Sequence, residues 1–282
     1  MANLNEPPGT DRQRDLLLTF ASGDGVLRAQ EFAVFLRSAQ AVLPPSVDKV
    51  LYTPPETKGQ DVQLAESHGF AVCRTSQVKD NYLRDRWKVF HDDLWRSRGH
   101  YRYVCLSDAR DVLFQADPFP LLAERLQARG CEVLVFGEGM AHSQCAWNTN
   151  EQQVFQQNCV PWQAPFADWP VANGGVVMGQ LEEVRRLCLL LWIAALPIAG
   201  RCSDQAAMNY LLHVPLREVS SFQVERPLDS ALVVTGQGVQ KGHVGVFFDG
   251  QVRHRATHEP YCLVHQWDRT RYRQDILQRF VQ

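Results

Sequence analysis

The chain has 282 residues, 45% hydrophobic and 21% charged, the balance of a globular protein with room for a sizeable core. A formal net charge of -2 supplies no bulk field toward nucleic acid or an anionic membrane. The eight cysteines form no C-x-x-C pair and no zinc-finger spacing with histidine, and Cys73 and Cys105 sit inside apolar runs as small hydrophobes, a usage that fits a reducing, cytoplasmic compartment.

Residues 1–14 are polar, carry Pro7-Pro8-Gly9 and lack an apolar signal core, so they read as a flexible tail before a single domain over 15–282. Leu16–Ala21 is an apolar run that stops at Ser22-Gly23-Asp24-Gly25, the pattern of a buried strand and a turn. Phe32, Phe35, Leu36 and Ala39 fall at helical spacing over 31–42. Strands follow at 47–53 and 70–74, with a short helix at 61–68 between them. Leu83, Trp87, Phe90 and Leu94 share one face of a helix over 81–95. A single strand is expected from Tyr101 to Phe114, a helix over 121–128, and a strand over 132–136 that stops at Gly137-Glu138-Gly139. The stretch 140–172, rich in Gln, Asn, Trp and Pro, has weak periodicity and reads as long functional loops in which Trp147, Trp162 and Trp169 either stack on sugar faces or anchor loops to the core. Helices are expected at 181–195 and 203–212, the second capped by Ser203. Strands at 232–235, 244–250 and 261–265 and a terminal helix over 270–281 complete the chain. The longest apolar stretch, 187–199, is interrupted by Pro197 and falls short of the ~20 residues that a membrane-spanning helix needs.

Strands alternating with helices at this spacing predict an α/β fold with a mostly parallel sheet. Right-handed crossovers gather the loops after residues 21, 74, 107 and 136 on one rim, where open α/β sheets bind ligands.

Ser107-Asp108-Ala109-Arg110-Asp111 ends an apolar run at that rim. Two carboxylates there can share a hard divalent cation; on spacing alone, the pair reads slightly better as a solvated turn. His265 ends another apolar run, Tyr261–Val264, where its neutral imidazole can serve as a third ligand. In Asn173-Gly174-Gly175 the glycines permit close backbone approach before a strand, and Asn173 can meet a hydroxyl or phosphate. Asp204 and Gln205 open a helix, where Asp204 either serves the helix terminus or orients or deprotonates a hydroxyl nucleophile. Arg84, Arg86 and Lys88 lie on or beside the face of the 81–95 helix and either reach a diphosphate or form a solvated face; Arg110 either holds its turn or contacts phosphate.

The order Asp-Ala-Arg-Asp-Val at 108–112, Asn-Gly-Gly, Asp-Gln, then Val-His-Gln at 264–266 resembles GT-A fold nucleotide-sugar glycosyltransferases. It is most similar to the procollagen glycosyltransferase-domain group and its bacterial relatives. The resemblance implies a GT-A (Rossmann-like) mixed sheet and a metal site of Asp108, Asp111 and His265 for Mn2+ or Mg2+. It implies a sugar-site loop at Asn173 and Gly174, acceptor-side residues Asp204 and Gln205, and a UDP- or GDP-sugar as donor. The hydroxyl acceptor would be a glycan, a lipid-linked glycan or a protein. A scaffold of the same fold that binds nucleotide sugars without catalysis, inside a glycan assembly complex, is the alternative. A haloacid-dehalogenase-like phosphatase ranks below both, because Gly23-Asp24-Gly25 lacks that group's Asp-x-Asp-Gly-Thr-like run.

Overall fold

A computed structural model describes residues 13–22, 29–78, 81–160, 163–197 and 203–281. The expected tail thus lies, but for its last two residues, outside the described residues, as do Gly23-Asp24-Gly25, Trp162 and the Ser203 side chain.

Among the described residues, seven strands form one mixed sheet, in the order β3-β2-β1-β4-β7-β6-β8. β1 (Arg14–Phe20), β2 (Val47–Thr53), β3 (Ala71–Arg74) and β4 (Tyr101–Asp108) are mutually parallel where they pair. β7 (Pro170–Gln180) runs antiparallel to both β4 and β6 (Val133–Ala141), and β8 (Phe222–Glu225) closes the far edge parallel to β6.

Both faces of this sheet are covered, which is why its strands read as near-continuous apolar runs. On one face Leu16, Leu18, Phe20, Val104 and Leu106 pack against α3 (Tyr82–Arg96), α6 (Leu181–Ala195) and α7 (Ser203–His213). On the other, Leu17, Leu51, Cys105 and Leu134 pack against α1 (Gln30–Val42), α2 (Gly59–Ser67) and α4 (Phe119–Arg129). The strand alternation in β1 sorts Leu16 and Leu18 from Leu17 in this way. Gly130, at φ 60°, ends α4 in the left-handed conformation that glycine adopts without strain.

Three expectations change. The single strand over 101–114 is two strands. β4 ends at Asp108, the chain bends through 109–111, and β5 (Val112–Phe114) joins a second, three-stranded sheet between the edge of α1 and β12 (Leu263–His265), with β9 (Val233–Thr235) beyond. β6 does not stop at Gly137 but runs to Ala141. The stretch 140–172 is not all loop: a 3-10 turn over His142–Gln144 and α5 (Ala146–Cys159) occupy much of it.

A hairpin of β10 (Val246–Phe248) and β11 (Val252–His254) turns through Asp249-Gly250, where Gly250 has φ 91°. With the small sheet and α9 (Arg273–Val281) it encloses a third apolar cluster around Val264, Trp267 and Ile276. The short helix α8 (Gly236–Gln240) follows β9. Among the described residues, no helix is long and apolar enough to cross a membrane, and the described cysteines are free.

Candidate functional site

β1 and β4 end level with each other, Phe20 pairing with Asp108, so Asp108 stands at the rim of the main sheet. The bend after it places Asp111 beside β5, whose ladder with β12 pairs Val112 with His265. The amide of Gln266 donates to the carbonyl of Asp111 at 2.6 Å and locks that junction. Two sheets therefore meet where their strand ends carry Asp108, Asp111 and His265. The imidazole Nε2 lies 3.5 Å from Asp108 Oδ2 and 3.6 Å from Asp111 Oδ1.

One ligand atom from each of the three residues lies within 4.8 Å of the others. Asp111 and His265 are buried, while the Asp108 side chain keeps 30% of its exposure and opens to a cavity of about 340 Å³. Two carboxylates and an imidazole are metal-ligating groups, and together they could hold a metal ion. The backbone leaves the matching space: a Cβ on Gly175 would lie 2.1 Å from His265 Cε1 and 2.9 Å from Asp108 Oδ2. Burial disfavours a charged imidazole, but Asp111 and Asp108 outweigh it and raise His265 to about 9. Burial likewise works against the Asp108 charge, yet Arg86 and His265 hold its carboxyl down to about 2.

Gly175 reaches this position through a bulge rather than the expected turn before a strand. Asn173, Gly174 and Gly175 lie inside β7. Val177 pairs with Val135 but Asn173 with Phe136, so the intervening residues leave the ladder with β6, and Gly174 and Gly175 line the cavity. The Asn173 side chain closes the bulge by accepting the Gly175 amide at 2.7 Å.

Arg86 ties the metal-side acids to α7. Its guanidinium is buried, donating to Asp108, to Asp204 Oδ2 at 2.8 Å and to the Gly174 carbonyl at 3.3 Å. Asp204 also accepts from Trp87 Nε1 at 3.2 Å and from the Gln205 amide at 2.9 Å. Donors thus occupy both oxygens of Asp204, an arrangement suited to orienting neighbours more than to taking a proton. Gln205 turns the other way, donating to Asn148 Oδ1 at 3.0 Å.

The structure brings Asp108, Arg110, Asp111, Asn173, Gly174, Asp204, Gln205 and His265 to one cavity. Arg110 is half-exposed and stands 3.6 Å from Asp268 and 3.9 Å from Asp111. Arg84 and Lys88 are not brought there: Arg84 pairs with Asp85 at 2.6 Å, and Lys88 pairs with Asp92 and lies over the Trp192 ring. Their neighbour Arg86 is the arginine of α3 that lines the cavity. Its position carried the signal: three residues after Leu83 and four before Phe90, it belongs to the apolar stripe, and a cation on a buried stripe needs buried anions. Of the tryptophans, Trp147 lines the cavity, while Trp169 stacks on His213 with centroids 4.9 Å apart.

Glu138 escaped the sequence reading. It is buried in β6 and accepts from Asn173 Nδ2 at 2.8 Å, from Asn148 Nδ2 at 3.0 Å and from Gln205 Nε2 at 3.5 Å. Its one signal is a carboxylate set between two glycines in an otherwise apolar strand.

No protein-family model matches the chain, and no curated protein matches it.

Proposed function

We propose that the chain is a metal-dependent glycosyltransferase that moves a hexose from a UDP- or GDP-sugar to a hydroxyl acceptor, built on a GT-A type of α/β sheet. The observation that carries this reading is the Asp108–Asp111–His265 group, which joins two sheets at the wall of a cavity lined also by Asn173, Gly174, Arg86 and Gln205. A mixed, mainly parallel sheet covered by helices on both faces is compatible with that frame.

Bound between Asp108, Asp111 and His265, a divalent ion would supply Lewis-acid charge for the leaving diphosphate. The remaining work belongs to the chain. The bulge at Asn173–Gly175 offers backbone to a donor at close range, and Asn173 is fixed by Glu138. Arg86 holds Asp108 and Asp204 in register. In the transfer, the acceptor oxygen bonds to the anomeric carbon, the bond from that carbon to the diphosphate oxygen breaks with its electron pair, and the acceptor proton is released.

Calorimetry with Mn2+ and UDP or GDP tests the reading. Wild-type protein is expected to bind nucleotide only with the ion, and Asp111→Ala to lose that binding while its thermal unfolding stays cooperative. Nucleotide affinity unchanged in Asp111→Ala would sink the metal assignment. Release of nucleoside diphosphate from a sugar nucleotide separates an enzyme from a scaffold that only binds.

A further inference from the structure

A second cavity, of about 310 Å³, adjoins the first, with Trp147, Gln205, Gln266 and Arg269 lining both. Its wall chemistry differs from that of the metal end. Asn148, Gln205, Gln237 and Gln266 contribute amide side chains, and Glu138 a buried carboxylate. Trp147, on the first turn of α5, leaves 48% of its surface exposed at the shared wall.

Neutral amides offer donors and acceptors side by side, the complement of hydroxyl groups, which also do both. Among the described residues, a diphosphate would find a single cation here, Arg269, whose Nη1 already donates to Gln237 Oε1 at 3.1 Å, and it would face Glu138. An apolar ligand would find little carbon to pack on, since amides, a carboxylate and a guanidinium line the cavity beside Trp147 and Cys145. An exposed indole ring beside such a wall offers a flat apolar face to a ring whose edges are polar.

We infer that this second cavity is the acceptor subsite and that the acceptor presents a sugar ring, read at its hydroxyls by Glu138 and the surrounding amides. The inference rests on the glycosyltransferase reading for the word acceptor, but the chemistry of the cavity stands by itself. Glu138 is a positioning and recognition group here. Asn148, Asn173 and Gln205 hold its carboxylate at the boundary between the two cavities, so a hydroxyl bound there lies beside the residues that line the donor side.

The test is ligand-observed NMR with methyl glucoside, methyl galactoside and methyl mannoside, together with calorimetry for Mn2+ with UDP or GDP, on the full chain. Wild-type protein is expected to bind at least one glycoside at millimolar concentration. Glu138→Gln, close in shape, and Gln237→Ala, which changes a side chain from α8, are each expected to weaken that glycoside about tenfold. Nucleotide affinity should stay within about twofold in Gln237→Ala, because Gln237 lines the second cavity and not the first. Gln237→Ala also keeps the test decisive if Glu138→Gln unfolds. Absence of glycoside binding by wild type at tens of millimolar, or glycoside affinity unchanged in a folded Gln237→Ala, overturns the inference. A chain that binds glycosides but no nucleotide instead overturns the glycosyltransferase reading and leaves a sugar-binding cavity in place.

Discussion

Gly175 and His265 are in contact so close that no side chain fits between them: a Cβ on Gly175 would lie 2.3 Å from the imidazole Nε2. The backbone of β7 is therefore the wall against which the imidazole rests. Gly175→Ala must push His265 away from Asp108 and Asp111, and Mn2+ affinity is expected to fall about 10- to 100-fold, the range seen when support of a metal ligand is lost. The neighbouring Gly174 supplies the control. Its Cβ would meet nothing closer than 3.9 Å, so Gly174→Ala should hold Mn2+ about as well as wild type. Equal losses in the two variants would show that the bulge, and not the imidazole contact, governs the site.

Arg86 stands between two acids from distant elements, Asp108 of β4 and Asp204 of α7. Removing a buried cation leaves its partners charged and unpaired, a cost of about 3–5 kcal/mol. Arg86→Met should lose that much stability in urea denaturation. Arg86→Met combined with Asp204→Asn should recover part of it, because one stranded charge is gone. Strict additivity of the two substitutions would contradict a direct coupling.

The helix that carries Arg86 is fastened at its start. Asn81 Oδ1 accepts from the amides of Leu83 at 3.1 Å and Arg84 at 3.3 Å, the geometry of an N-cap. Asn81→Ala is expected to cost about 1 kcal/mol of stability. Mn2+ affinity should change far less than in Gly175→Ala, since no ligand moves directly. A metal-binding loss as large as that of Gly175→Ala would mean that the cap sets the position of Arg86 and, through it, of Asp108.

Much of this arrangement was legible in the sequence, and the parts that were not share a physical cause. Strands β1 and β2 and helices α1, α3 and α6 announced themselves through apolar periods of two or 3.6. The junction at Asp108–Asp111 did not, because apolar residues on both sides of the acids look like one strand while the bend sends them into different sheets. Helix α5 was hidden because Asn148, Gln152 and Gln156 lie on its buried side along with Phe155, so its inner face is largely polar. The bulge in β7 was invisible because register is a property of two strands and not of one. Asp108, Asp111 and His265 were legible from their places at strand ends; Glu138 was missed, and Arg86 was not separated from Arg84 and Lys88, because their partners come from elements far along the chain.

His265 makes the site pH-dependent, and the sign is set by its raised value. With no ion present, the imidazolium is stabilised by Asp111 and Asp108 and titrates at about 9 instead of 6.5. Its contribution is complete below pH ~6.5 and is lost as pH rises through about 9; a shift of this size corresponds to roughly 3 kcal/mol. On the acid side, Asp108 titrates at about 2, below its ordinary 3.8, so its contribution disappears as pH falls through about 2. A metal ion needs the neutral imidazole, so it competes with that proton and its binding releases it. Mn2+ affinity should therefore climb between pH 6 and 8, by up to about tenfold per unit. In the same range, metal-free protein should lose thermal stability as this residue's contribution fades. His265→Gln removes the competing proton along with the ligand, so its weaker Mn2+ binding should lose this slope. A wild-type affinity that is flat across pH 6 to 8 would place the imidazole outside the coordination sphere.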